Sequence, residues 1–343
     1  MIPPPEEQVK FLRNVQRLLA EGIFTASYKF ALLNVLADLA VEKGDDSGAP
    51  LDLDTKEIGA KFVELYWRQC RPFQGVVLQQ NTDRQAEVIG HILKVQPHYG
   101  ESLFRLKHFD SREWLRLVSK VGGVVRKMPL WKLQTVGKER LDFLYNNLDC
   151  GTTITLKAGV AYCLRAFHEL LLDLIRGAWV RWIQKYNASA LNNVTDLASF
   201  LFGQERADLD AYRPILMAVQ GGTCMYCHKP LPRQNQVDHF VPWSRYPADL
   251  GHNFVLAHQG CNHAKSDYLA AEDHLAAWAE RNRVHRDELC HRLHEAALPF
   301  DLTASVRITE WAYEQTEKSQ GQVWVEKKVF RHLGSGWRKI LAV

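Results

Sequence analysis

Residues Gln236 to Pro247 read QVDHFVPWSRYP. A short strand-like run ends in an acid beside an imidazole, Asp238 and His239, and a turn with two prolines and a tryptophan follows. Neighbouring strand residues point to opposite faces, so a site that uses both side chains must sit where the strand ends or twists. The flanking residues set the chemistry. Cys224 and Cys227 precede the stretch with two residues between them, and His258 and Cys261 follow it at the same spacing. Paired ligands at this spacing let two short knuckles close a tetrahedral shell of sulfur and nitrogen around Zn2+. Four ligands with no open position describe a structural site. His228 and His263 adjoin ligands and read as bystanders.

Between the knuckles, Gln236–Val237 leading into Asp238 and His239 reads as one strand, and NFVLA, Asn253 to Ala257, as a second. CNHAKSDYLAAEDHLAAWAERN reads as one helix starting near Cys261. Successive helix positions turn by about 100°, so Cys261 can face zinc while Asn262 turns elsewhere. Asn262 and Lys265, three apart, share a face. Asp238 and Asn262 offer hard oxygens suited to Mg2+ or Mn2+, and His239 is the group able to take a proton from water near neutral pH. A cation held by two protein ligands keeps positions open for phosphate oxygens. These parts suit hydrolysis of a phosphodiester. Trp243, Arg245 and Tyr246 lie in the loop beside His239, where they could flank a bound DNA strand by stacking and phosphate contact. Trp243 could instead pack under the loop.

Over roughly Gly221 to Asp267, Cys224-x2-Cys227, VDHFVP (Val237 to Pro242), Asn253 and HQGCNHAKSD (His258 to Asp267) resemble the HNH nucleases of the ββα-metal (His-Me finger) group. The likeness is to the type that reads Asp-His, then Asn, then Asn-x-x-Lys. The resemblance implies that His239 activates water and that Asp238 and Asn262 hold the catalytic metal. It further implies that Asn253 fixes the imidazole or its loop, and that Lys265 supports the phosphate or the metal-bound acid. Two positions depart from the pattern. The last letter of H-N-H is Asn262 unless His263 takes that role, and His258 stands where many relatives have cysteine.

The rest of the chain bounds this reading. A length of 343 residues allows two or three domains. With 46% hydrophobic and 24% charged residues the composition is globular, and a net charge of +4 puts the weight on local patches rather than on the total. The N-terminus has neither a basic nor an apolar signal region, and no apolar run is long enough to span a membrane. A cytoplasmic protein without a membrane partner is expected, with Cys70, Cys150, Cys163 and Cys290 as small buried side chains. Residues 1 to about 145 read as helices, with Asp54 capping a helix that begins at Thr55. TTITLK after Gly151 reads as a strand, and one long helix follows, with Val160, Leu164, Leu171, Ile175 and Trp182 near one stripe. The run 101–140 holds ten Lys/Arg against four Asp/Glu, either a phosphate-facing surface or a solvated one.

The expectation is an α+β protein, mainly α-helical, with a small zinc-stabilised ββα-metal nuclease domain. Residues 1–205 form a helical targeting or regulatory domain, 206–285 the nuclease, and 286–343 a helical and strand cap. SYKFALLNVLADLAVE and FVELYWRQ resemble segments ahead of HNH domains in bacterial defence-island proteins, the HNH component of Zorya-type anti-phage systems among them. The expected activity is Mg2+- or Mn2+-dependent hydrolysis of DNA, nicking one strand as a monomer, with other defence proteins as partners. Two alternatives stand beside it. One is a zinc-stabilised nucleic-acid or protein-binding module without catalysis, the other a restriction-type enzyme reading modified DNA.

Overall fold

The structure, a computed structural model, describes all residues except 101, 147–150, 189, 192–195, 204–208 and 342–343. Cys150 and the boundary expected between 205 and 206 lie outside the described residues. The chain divides into two compact units, Met1–Gly203 and Gln204–Val343. Helices dominate both, and every sheet among the described residues is a two-stranded antiparallel ladder.

The first unit is built around the helix Tyr28–Lys43. Its apolar residues are not confined to a stripe: Phe30, Ala31, Leu32, Leu33, Val35 and Leu36 are all buried. A helix apolar on every side must be surrounded, and the helices Thr55–Trp67, Val160–Ala166 and His168–Tyr186 pack against it. Asp54 caps Thr55–Trp67 in a reciprocal box with Glu57. TTITLK supplies the strand Thr153–Leu156, which pairs with Leu51–Asp54. The long helix expected after it is two helices that meet at Phe167. Just before the break, buried Arg165 pairs with Asp46 at 2.5 Å and donates to the carbonyls of Ala40, Val41 and Gly44. The break thus coincides with a side chain that adds donors to carbonyls at the end of the central helix. Periodicity alone does not register such a long-range tie.

In the second unit the strands Gln236–His239 and Phe254–Ala257 pair in the register Val237 to Leu256 and His239 to Phe254. Val237, Phe254 and Leu256 join Tyr212, Ile215, Leu216, Leu289 and Leu293 in one core. Residues of the 286–343 segment thus complete the core on which the finger strands rest. The single helix expected from Cys261 onward is also two, Gln259–Lys265 and Glu272–Val284. Ser266 between them adopts φ 49°. The backbone of Leu269 and Ala271 then bonds to Trp324 in the C-terminal hairpin strand Gln322–Glu326, at 2.8 Å in both directions. Those two bonds replace helical ones and force the interruption. No helix among the described residues is long and apolar enough to cross a membrane.

Where Thr55–Trp67 crosses the helix Ser111–Lys127, a Cβ at Gly59 would lie 3.0 Å from the Gly122 nitrogen and from the Val118 carbonyl oxygen. Overpacking of this kind costs about 1–3 kcal/mol. Gly59→Ala should lower the urea midpoint accordingly with an unchanged m-value.

Candidate active site

The zinc-type cluster comes from two turns that the finger hairpin brings together. In the first, Cys224 accepts at its carbonyl from His228 N–H at 3.0 Å, and His228 takes φ 58° to close the turn. The second is the start of the helix Gln259–Lys265, where His258 is the N-cap and Cys261 lies in the first turn. The ligand atoms of Cys224, Cys227, His258 and Cys261 all lie within 4.8 Å of one another. His258 points Nδ1 toward Cys227 Sγ at 3.2 Å and Nε2 toward the Pro230 carbonyl at 3.0 Å. Donating Nε2–H to that carbonyl leaves the Nδ1 lone pair for a metal. Burial and the neighbouring Cys224 and Cys227 thiols push the Cys261 thiol up to about 12. Three thiols this close cannot all ionise without a cation among them, so the donor set fits a Zn2+ site. His228 and His263 are exposed and outside the cluster.

Asp238 and His239 leave the strand in different directions. Asp238 turns toward the finger helix, where its Oδ2 lies 3.0 Å from Lys265 Nζ and accepts from the Tyr226 hydroxyl at 2.5 Å. Lys265 has no exposed surface, and its ammonium also donates to the His239 carbonyl at 2.9 Å. Of the two roles open to Lys265, support of the acid fits this burial and contact with a solvated phosphate does not. Burial, then the Asp238 charge, holds the Tyr226 phenol well above its ordinary range, so it serves as a donor. One turn earlier on the same helix face, Asn262 donates from Nδ2 to Gln236 Oε1 at 2.8 Å. Gln236 and Asp238 share a face of the strand. Asn262 and Lys265 thus run alongside Gln236 and Asp238, and among the described residues Oδ1 of Asp238 and Oδ1 of Asn262 accept no hydrogen bond. Two free hard oxygens suit Mg2+ or Mn2+.

His239 is the last residue of its strand and faces the loop that follows. Its Nε2 meets Asp249 Oδ1 at 2.7 Å, and its ring lies edge-on to Phe254 at 4.7 Å and to Trp243 at 5.3 Å. The loop is clamped by Asn253, whose side chain accepts from Val241 N–H at 2.8 Å and donates to the Val241 carbonyl at 3.0 Å. The preceding carbonyl, that of His252, accepts from Trp278 Nε1, Arg281 Nη2 and Asn282 Nδ2. Arg281 is buried and pins Phe254 as well, through that residue's carbonyl at 2.7 Å.

Of the loop residues expected to flank a DNA strand, Tyr246 is turned inward. It is 6% exposed, with its ring edge-on to Trp311 of the helix Leu302–Lys318, and so presents no free face for stacking. The expectation is corrected: an aromatic ring beside the buried Trp311 packs there instead of facing water. Arg245 reaches Thr316 Oγ1 on the same helix at 3.4 Å, and Trp243 is half-buried against His239. Tyr226 and Asp249 were not singled out by sequence. Tyr226 lies inside the Cys-x-x-Cys spacing, and only its position there marked it as close to the site. Asp249 had no signal, because its contact depends on the path of an irregular loop.

Residues 224–268 match the HNH endonuclease family. No curated protein matches the chain. The second unit therefore carries an HNH nuclease domain, and a nucleic acid is the substrate class that such a domain acts on.

Two measurements test this geometry. Tyr226→Phe removes a hydrogen bond to a charged acceptor and should cost about 1.5–3 kcal/mol in urea unfolding. Burial, then Arg281 and Arg286, lowers His252 from 6.5 to about 4. The unfolded chain then binds this proton first as pH falls, so the contribution is complete above about 6.5 and is lost toward about 4. His252→Leu should flatten the acid side of a melting-temperature profile across that window.

Proposed function

We propose that the chain is a metal-dependent DNA endonuclease whose reacting centre is built on Asp238 and His239. The observation that carries the reading is the His239–Asp249 contact, made by the strand residue that follows Asp238. In the tautomer that donates Nε2–H to Asp249, Nδ1 is the basic atom, and it accepts no hydrogen bond among the described residues. His239 takes a proton there from water, whose oxygen bonds to phosphorus as the bond to the 3′ oxygen breaks. Solvent protonates the departing 3′ oxygen, leaving a 5′-phosphate. Asp238 and Asn262 would hold Mg2+ or Mn2+, which supplies charge stabilisation to the phosphodiester and the leaving oxygen. Asn253 holds the loop behind His239, and Lys265 holds the Asp238 carboxylate in place. Cys224, Cys227, His258 and Cys261 would hold a structural zinc.

One such centre acts on one strand, so a monomer nicks duplex DNA. We assign choice of target to residues 1–205 and local strand contact to Trp243 and Arg245. The setting we propose, from the resemblance of the N-terminal phrases, is cytoplasmic anti-phage defence of the Zorya type, acting with other proteins of such a system. One observation favours a second reading, a zinc-stabilised binding module without turnover: Asp238 Oδ2 is fully engaged by Tyr226 and Lys265, as in a purely structural network.

Conversion of supercoiled plasmid to open circles separates the two. The expected result is nicking with Mg2+ or Mn2+ and none with EDTA. His239→Ala should lower the rate by about 10²–10⁴-fold, and Asp249→Asn by at least about 10-fold with the fold intact. Retention of plasmid without nicking under every metal condition would leave the binding module. Elemental analysis should find about one zinc per chain.

A further inference from the structure

The helix Ser111–Lys127 buries Leu117, Val118, Val121, Val124 and Val125 against the first unit and turns its other side to solvent. That outer face carries Arg112, Arg116, Lys120, Arg126 and Lys127 with exposed Leu115 among them, and its carboxylates, Glu113 and the N-cap Asp110, lie at the N-terminal end. Elsewhere in the unit Arg17, Lys43, Lys61, Lys107 and Lys157 lie against acids, while the exposed Lys10, Lys56 and Lys138 make no ion pair among the described residues but are scattered in the sequence. On this face Arg116 pairs with Glu113 from the helix flank, while Arg112, Lys120, Arg126 and Lys127 make no ion pair among the described residues. Arg112, Arg116 and Lys120 recur every four residues, about 6 Å apart along the axis. Successive phosphates of a nucleic-acid strand are spaced comparably.

A second observation comes from the adjacent glycines. Gly122 faces inward, where its nitrogen lies 3.0 Å from the position of a Gly59 Cβ and a Cβ of its own would come into ordinary contact with the Thr55 carbonyl oxygen at 3.4 Å. At Gly123 a Cβ meets nothing within 4 Å. Glycine in mid-helix is disfavoured by propensity, and here no neighbour demands it. Rotation by about 100° per residue places Gly123 in the middle of the cationic face, between Lys120 and Arg126. The absent side chain leaves a smooth floor flanked by positive charge.

We propose that this face of Ser111–Lys127 is a docking surface for the phosphodiester backbone of a nucleic acid, with Gly123 as the floor on which the strand lies. The proposal rests on the reading that the chain acts on nucleic acid and adds a second contact on the unit without the nuclease residues. Binding through it is independent of sequence and falls with salt, because each cation releases counterions from the phosphates it meets.

The test uses the full chain carrying His239→Ala, so that labelled DNA, duplex and single-stranded, is bound without being cut. Arg112→Gln/Lys120→Gln/Lys127→Gln should weaken binding by about 10-fold or more at low salt and make the log–log salt slope shallower by about 3 for duplex. A charge-matched control, Lys10→Gln/Lys56→Gln/Lys138→Gln, should keep most of the affinity. Gly123→Glu should weaken binding as the triple variant does, while Gly123→Ala raises or preserves the melting temperature. Equal loss in the control, an unchanged slope in the triple variant, or stripe-dependent binding to phosphatidylserine vesicles but not to DNA would overturn the proposal. A chain with His239 intact that nicks plasmid while the stripe variants bind normally removes this surface and leaves the nuclease. A chain that never nicks but loses DNA binding with the stripe removes the nuclease and leaves this surface.

Discussion

Lys265 is a cation with no exposed surface, and the finger is organised around its compensation. A buried ammonium without partners is costly enough to unfold a small domain. Here it is met by the Asp238 carboxylate and the His239 carbonyl, two consecutive residues at the end of one strand. That requirement fixes the helix Gln259–Lys265 against the strand, sets the direction in which Asp238 leaves it, and holds the backbone from which His239 departs the other way. Tyr226 adds a third constraint from inside the first cysteine turn. The cysteine cluster and the carboxylate are therefore one mechanical piece, since the residue between two ligands is bonded to the acid.

The same logic extends to the loop side. Asn253 closes a two-bond clamp on Val241, and the helix Glu272–Val284 delivers three donors to the carbonyl just before it. An irregular loop of fourteen or so residues would ordinarily be the least ordered part of a hairpin. Here it is tied at both ends to buried donors, so Asp249 is held where it can orient an imidazole. Rigid support of this kind lets a small site keep its geometry without a large core.

Much of this was legible in the residues and some was not. The grouping of Cys224, Cys227, His258 and Cys261 could be read because metal coordination imposes short, local spacings, and the shared face of Asn262 and Lys265 because helical rotation is fixed. The central helix Tyr28–Lys43 was legible because apolarity on all sides has one solution. The breaks at Phe167 and Ser266 were not, since apolar spacing continues across both, while long-range ties lie beside them, Arg165 to the central helix and Trp324 to Leu269 and Ala271. Tyr246 looked available because it lies among polar loop residues, and only the position of Trp311 shows otherwise. Asp249 illustrates the general limit: a contact made through an irregular loop leaves no periodic trace.

The interruption after Lys265 also bears on how this domain can be inherited. The family match ends at residue 268, yet the backbone of Leu269 and Ala271 is completed by Trp324, more than fifty residues further on. Leu289 and Leu293 supply part of the core under the finger strands. A recombination event that cut at the end of the recognisable motif would separate the nuclease signature from the residues that finish its packing. The unit of this chain that could be moved with its packing intact is therefore longer than its signature and includes the C-terminal hairpin.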